Sequence, residues 1–181
     1  MLVNTSSIVA NIQPQDPFPE ADPASGLGYI KYGLYARKTM FFHAYYKAFN
    51  LELFKGSKEN AAILADILSN LIRYFIPNPT DWSIITTPKR IHTDRLGYHF
   101  ATEILLLTAA ATGINFIEDV ICTRNKNKLD PEFFLNKPLP STPFILYDDI
   151  LTTGMTIYAS LALIREATGS TPLIIVGINN N

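Results

Sequence analysis

The sequence predicts an α/β domain, a mostly parallel sheet flanked by helices with a small N-terminal cap, and three observations predict it. Short apolar runs at 82–86, 116–122, 144–147 and 173–178 alternate with segments of helical period at 58–74, 96–112 and 156–167. The run at 144–147 shows no polar alternation, the pattern of a strand covered on both faces. Glycine or proline closes each helical segment, so strands and helices follow one another in the order a parallel sheet requires.

Element by element, residues 1–27 carry Pro14, Pro17, Pro19 and Pro23 and read as an extended arm. Residues 28–181 make the domain. Its 28–56 stretch reads as the cap, because Tyr29, Tyr32, Tyr35, Phe41, Phe42, Tyr45, Tyr46 and Phe49 follow neither helical nor alternating spacing. Ser57 offers an N-cap to a helix over 58–74, in which Ala61, Leu64, Ala65, Leu68 and Ile72 form one buried stripe. Pro77 and Pro79 end it. Gly113 follows the 96–112 helix and Gly169 the 156–167 helix, where a left-handed residue commonly closes the last turn.

A length of 181 residues fits one domain, and 48% apolar with 17% charged residues supplies an ordinary core. The formal net charge of −1 gives no field to gather nucleic acid or an anionic membrane, so anion binding has to come from local clusters. Cys122 is the single cysteine and reads as a small buried hydrophobe, compatible with a reducing cytoplasm. The N-terminus lacks a signal-peptide pattern, and the apolar stretch 104–111 falls far short of the ~20 residues that span a bilayer. A cytoplasmic chain with no membrane partner is expected. His43, His92 and His99 show no metal-ligand spacing. His99 reads as a locally packed helix residue, and Glu118 with Asp119 as the solvated start of a strand.

The chemistry gathers after the 144–147 run. Ligands of an open parallel sheet bind beyond the carboxyl ends of its strands. Asp148 and Asp149 stand there, followed by Leu151, Thr152, Thr153, Gly154, Met155 and Thr156 at the start of a helix. Three threonine hydroxyls, a glycine that permits close backbone approach and a helix N-terminus make a cup for a phosphate monoester. Two carboxylates beside such a cup repel phosphate, so they suit hydroxyl groups or a divalent cation. A ribose 5-phosphate meets both needs. No Gly-Lys-Ser/Thr follows, which excludes a Walker A loop.

Basic residues fall in two windows that also follow apolar runs. Pro88, Lys89, Arg90 and Arg95 come after 84–87, with His92 among them; Arg124, Lys126 and Lys128 come after Cys122. In a parallel sheet both windows open on the edge that carries Asp148. A cation about 4 Å from a unit charge contributes ~4 kcal/mol at an effective dielectric of ~20, before desolvation. Such loops suit a polyanionic leaving group.

The residues FILYDDILTTGMT, 144–156, resemble the phosphoribosyl pyrophosphate (PRPP) signature of type I phosphoribosyltransferases: four apolar residues, two acids, two apolar residues, then Thr-Thr-Gly-x-Thr. Pro88-Lys89-Arg90 resembles that family's pyrophosphate loop. AFNLELFKG at 48–56 and Leu96-Gly97-Tyr98-His99-Phe100 resemble segments of the competence-associated, ComF-like subgroup. The subgroup's N-terminal zinc ribbon is missing here, and Leu96 stands where the family has arginine, with Arg95 one place early. The resemblance implies transfer of ribose 5-phosphate from PRPP to a nitrogenous base or amine, with release of pyrophosphate. It implies Asp148 and Asp149 at the ribose hydroxyls, with Arg124 and Lys126 as further catalytic groups. It implies 151–156 at the 5-phosphate and Pro88, Lys89, Arg90 and Arg95 at pyrophosphate. Magnesium is expected on PRPP, reaching the acids through water rather than through direct ligation. A homodimer is compatible with this reading. The alternative is a non-catalytic PRPP- or nucleotide-binding module with a regulatory or DNA-uptake role.

Overall fold

The computed structural model describes residues 29–30, 51–89, 97–125, 132–151, 153–169 and 171–179. The arm expected at 1–27 and most of the cap expected at 28–56 lie outside the described residues. In chain order the elements are β1 (Tyr29–Ile30), α1 (Leu51–Gly56), α2 (Lys58–Phe75), β2 (Ser83–Thr86), α3 (Phe100–Thr112), β3 (Asn115–Phe116), β4 (Ile121–Thr123), β5 (Phe133–Leu135), β6 (Phe144–Leu151), α4 (Met155–Thr168) and β7 (Leu173–Asn179). Five strands form one sheet in the order β1-β7-β6-β2-β3, and every pairing in it is parallel. The α/β architecture expected from the alternating pattern is the one observed.

Two apolar clusters fix the layers. On one face α2 and α3 pack over Ile84, Ile145, Tyr147 and Ile175. On the other, α4 packs over Ile85, Leu146, Ile174 and Val176, together with Val120 and Ile121. Each fully buried Leu, Ile or Phe contributes roughly 1.5–3 kcal/mol. The stripe expected on α2 is buried, and Ile67 and Leu71 widen it. The Ser57 hydroxyl accepts the Asn60 amide at 3.3 Å, as an N-cap does. Gly113 and Gly169 close α3 and α4 in the left-handed conformation. Among the described residues, no helix is long and apolar enough to cross a membrane.

Three expectations need correction. The 116–122 run is not one strand: β3 ends at Phe116, and Ile121 begins β4, which pairs antiparallel with β5 in a separate ribbon. The break is the turn at Glu118–Asp119, where Asp119 takes φ 55, a left-handed value that a short polar side chain tolerates. The helix expected at 96–112 starts only at Phe100, because Gly97 has φ 71 and His99 is extended at the N-cap position. The 144–147 strand runs on through both aspartates to Leu151, because β7 pairs alongside it as far as Leu151↔Asn179. β1 adds a further edge strand from within the segment expected as a cap.

Candidate functional site

The unequal lengths of β2, β6 and β7 create the site. β2 pairs with β6 only up to Thr86↔Tyr147, whereas β7 accompanies β6 to its end. The second half of β6 therefore overhangs the end of β2, and the overhang begins with Asp148 and Asp149. Both are buried, at 9% and 6% exposure. The side-chain alternation also slips here. Ile145 and Tyr147 face α2 and α3, and so does Ile150, which strict alternation would send to the other face. β7 slips in step: Ile175 and Ile178 share a cluster across Gly177.

Each acid has its own partners. Asp148 Oδ1 accepts the Thr87 hydroxyl at 2.8 Å, from the residue just beyond β2. Asp149 Oδ1 accepts the Ile150 amide at 2.9 Å, and its Oδ2 lies 2.6 Å from the Lys55 ammonium at the end of α1. Tyr147 beneath them is fully buried, and among the described residues its hydroxyl, like Asp149 Oδ2, has no hydrogen-bond partner. Burial, then the charges of Asp149 and Asp148, push its phenol well above the ordinary value, so it stays neutral. Thr87 and Lys55 were not legible as partners of the acid pair. Their signals were proximity to the basic loop and membership of the 48–56 segment.

The turn expected to form a phosphate cup leads into α4. Gly154 is the N-cap of α4 at φ 77, and a Cβ there would also meet the Tyr158 ring at 3.0 Å. A non-glycine residue would be strained there on both counts. Thr153 is exposed, and its hydroxyl accepts the Met155 amide at 3.5 Å, a weak contact that a ligand oxygen can replace. Thr156 is half-buried in the first turn of α4, and Leu151 is buried at the end of β6. Thr152 lies outside the described residues.

Among the basic windows, Pro88 is buried and Lys89 is anchored beside it. The Lys89 ammonium sits 2.6 Å from Glu118 Oε1 and 3.0 Å from Asp119 Oδ1. The acids expected to be solvated are therefore its ion-pair partners. Burial opposes charge on Lys89, but the hydrogen bonds to Glu118 and Asp119 outweigh it and raise its pKa. The same turn holds the ribbon: Asn136 donates to the Asp119 carbonyl at 3.1 Å, and Lys137 to that of Glu118. Arg124 follows a ribbon strand rather than a strand of the main sheet, and its guanidinium lies 5.4 Å from the centre of the Phe134 ring. Arg90, His92, Arg95, Lys126 and Lys128 lie outside the described residues. Cys122 is half-buried rather than buried, with its thiol 3.8 Å from the Asp119 carbonyl.

His99 stands at the head of α3 with Nδ1 2.9 Å from the Thr102 hydroxyl. Burial lowers its pKa to about 4; the charge of Asp149 opposes the shift, Lys55 and Lys89 reinforce it, and Asp119 opposes it. A lowered histidine pKa means that the unfolded chain, titrating near 6.5, binds the proton first as pH falls. Stability is then lost between about pH 6.5 and 4, at up to about 1.4 kcal/mol per unit. Urea unfolding at pH 7.5 and 4.5 is expected to show a drop about 2 kcal/mol larger for the natural chain than for His99→Gln. Equal drops would dismiss His99 as the cause.

No protein-family model matches the chain, and no curated protein matches it in sequence. Among solved structures it is similar to the hypoxanthine-guanine phosphoribosyltransferase of L. donovani, at 13% identity over 66% of this chain and 71% of that one, with a TM-score of 0.43.

Proposed function

We propose that the chain binds PRPP at the end of β6 and transfers its ribose 5-phosphate to a nitrogenous base or amine, releasing pyrophosphate. One observation carries the reading. Two consecutive buried carboxylates stand where β6 runs past the end of β2, and β6 is followed in the chain by the glycine-capped N-terminus of α4. The acids suit sugar hydroxyls, and the helix start suits the phosphate on the 5-carbon of the same sugar.

In this reading Asp148 and Asp149 accept hydrogen bonds from the ribose hydroxyls. Thr153, Thr156 and the amides of Gly154 and Met155, with Thr152, surround the 5-phosphate beside Leu151. Lys89 leaves Glu118 and Asp119 to meet pyrophosphate, and Pro88, Arg90, Arg95, Arg124 and Lys126 complete that side. The bond between the anomeric carbon and the pyrophosphate oxygen breaks as pyrophosphate leaves with the bonding pair. A nitrogen lone pair of the acceptor forms the new bond and then releases its proton. Closure of the 124–140 segment over the site would exclude water.

Magnesium fits this reading as a companion of the ligand. Among the described residues, no group of three His, Cys, Asp or Glu side chains is arranged to hold a metal, and Asp149 already meets Lys55 and an amide. Asp148 and Asp149 would reach the ion through water while phosphate oxygens ligate it. When bound, it would neutralise charge on the departing pyrophosphate. A cytoplasmic location and a homodimer belong to the same proposal.

A second reading, a PRPP- or nucleotide-binding module without turnover, is favoured by the double ion pair that occupies Lys89. Pyrophosphate release separates the two. The full chain with PRPP, magnesium and a panel of bases and amines is expected to release pyrophosphate with at least one acceptor. PRPP binding without release from any of them would favour the module, and absence of both would end the PRPP reading.

A further inference from the structure

We infer that Lys55 is a positioning residue for the sugar site: it fixes the Asp149 carboxylate in the orientation that receives a ribose hydroxyl. The inference rests on the proposed role of the acid pair and adds to it a residue from outside the motif.

The contact itself is close and sheltered. The Lys55 ammonium lies 2.6 Å from Asp149 Oδ2, with side-chain exposures of 14% and 8%. A carboxylate rotates about the bond to its Cβ unless both oxygens are held. The Ile150 amide donates to Oδ1 at 2.9 Å; Oδ2 receives no hydrogen bond among the described residues, and the Lys55 ammonium faces it as an ion-pair partner at 2.6 Å. Each carboxylate oxygen has two lone-pair sites, so a hydroxyl can still join Lys55 at Oδ2.

The lysine is also aimed from behind. The Tyr98 hydroxyl donates to the Lys55 carbonyl. The Asn60 side-chain amide donates to the Phe54 carbonyl at 3.0 Å, and the Ser57 amide donates to it at 3.3 Å. The Phe54 ring packs edge-on against Phe100, with centroids 5.6 Å apart. The end of α1 is thereby tied to the head of both α2 and α3. Buried ion pairs are weak sources of net stability, since apolar side chains of similar size often serve as well. So much fixed structure behind one ammonium points to orientation of its partner.

Calorimetry on the full chain with two probes tests this. Inorganic phosphate fills the helix cup without reaching the acids, whereas ribose 5-phosphate engages both. Lys55→Met is expected to weaken ribose 5-phosphate by about 10-fold or more and to leave phosphate within about 2-fold. Lys55→Arg restores most of the preference. Adding Asp149→Asn to Lys55→Met costs little further affinity, because the lysine acts through that acid. Should Lys55→Met lose its cooperative melt, Lys55→Leu provides the same comparison without a donor. A natural chain that binds ribose 5-phosphate no better than phosphate removes the acid-pair reading, and this inference with it. A natural preference that survives in Lys55→Met, or in Lys55→Leu, overturns the inference alone.

Discussion

On the proposed reading, Asp148→Asn combined with Asp149→Asn is expected to weaken PRPP binding by at least about 30-fold while leaving inorganic phosphate binding equal or tighter. A hydrogen bond to a charged group contributes about 1.5–3 kcal/mol, so losing two costs about 3–6 kcal/mol. One effect opposes this, because the removed carboxylates also repel the 5-phosphate. The Thr153 turn is exposed, so water screens that repulsion. At a separation of roughly 8 Å and a dielectric near 80 it amounts to about 0.5 kcal/mol per pair, about 1 kcal/mol in all. The lost hydroxyl contacts win by about 2–5 kcal/mol. The opposite signs for the two ligands separate this from general damage. Because Asp149→Asn leaves the Lys55 ammonium beside a neutral amide, melting curves should accompany calorimetry. Unchanged PRPP affinity in a folded double variant would falsify the assignment of the acids to the sugar.

Why the motif was legible and its supports were not follows from how each is encoded. FILYDDILTTGMT is contiguous, so strand, acids, glycine and helix start are fixed by local rules of burial, backbone freedom and capping. Helix α2 and the closing glycines of α3 and α4 were legible for the same reason. Lys55, Thr87 and the Lys89 partners come from elements brought together only by the sheet. Their separations from the groups they meet are 94, 61 and 29 residues. No periodicity carries such information. The 116–122 run failed for a different reason: its residues are apolar enough for one strand, and a single left-handed residue, Asp119, redirects the chain into the ribbon. The strand through the aspartates was underestimated because acids are poor strand formers in isolation, yet pairing with β7 extends β6 through them.

Gly177→Ala is the substitution expected to damage the site most from outside it. The glycine lies in β7 opposite Asp149, at the point where both strands lose their alternation. A Cβ there would stand 2.6 Å from the Tyr147 hydroxyl and 2.7 Å from the Asp149 carbonyl oxygen. The first contact can yield: a small cavity bordered by Leu64, Leu68 and Ile175 gives the Tyr147 side chain some room. The second is strand backbone and can yield only by moving Asp149. Overpacking of this kind costs about 1–3 kcal/mol, and a backbone contact places the expectation near 2 kcal/mol. Urea unfolding should register that loss, and ribose 5-phosphate affinity should fall further than phosphate affinity because the displaced group is the acid. Tyr147→Phe dissects the two contacts. Alone it removes a buried hydroxyl without a partner among the described residues, whose burial costs about 1–3 kcal/mol, so it should be neutral or stabilising. Combined with Gly177→Ala it should recover part of the stability but not the sugar preference, since the Asp149 carbonyl still meets the new methyl. Full recovery of both would mean that the tyrosine alone is crowded, and that β7 does not set where the second acid stands.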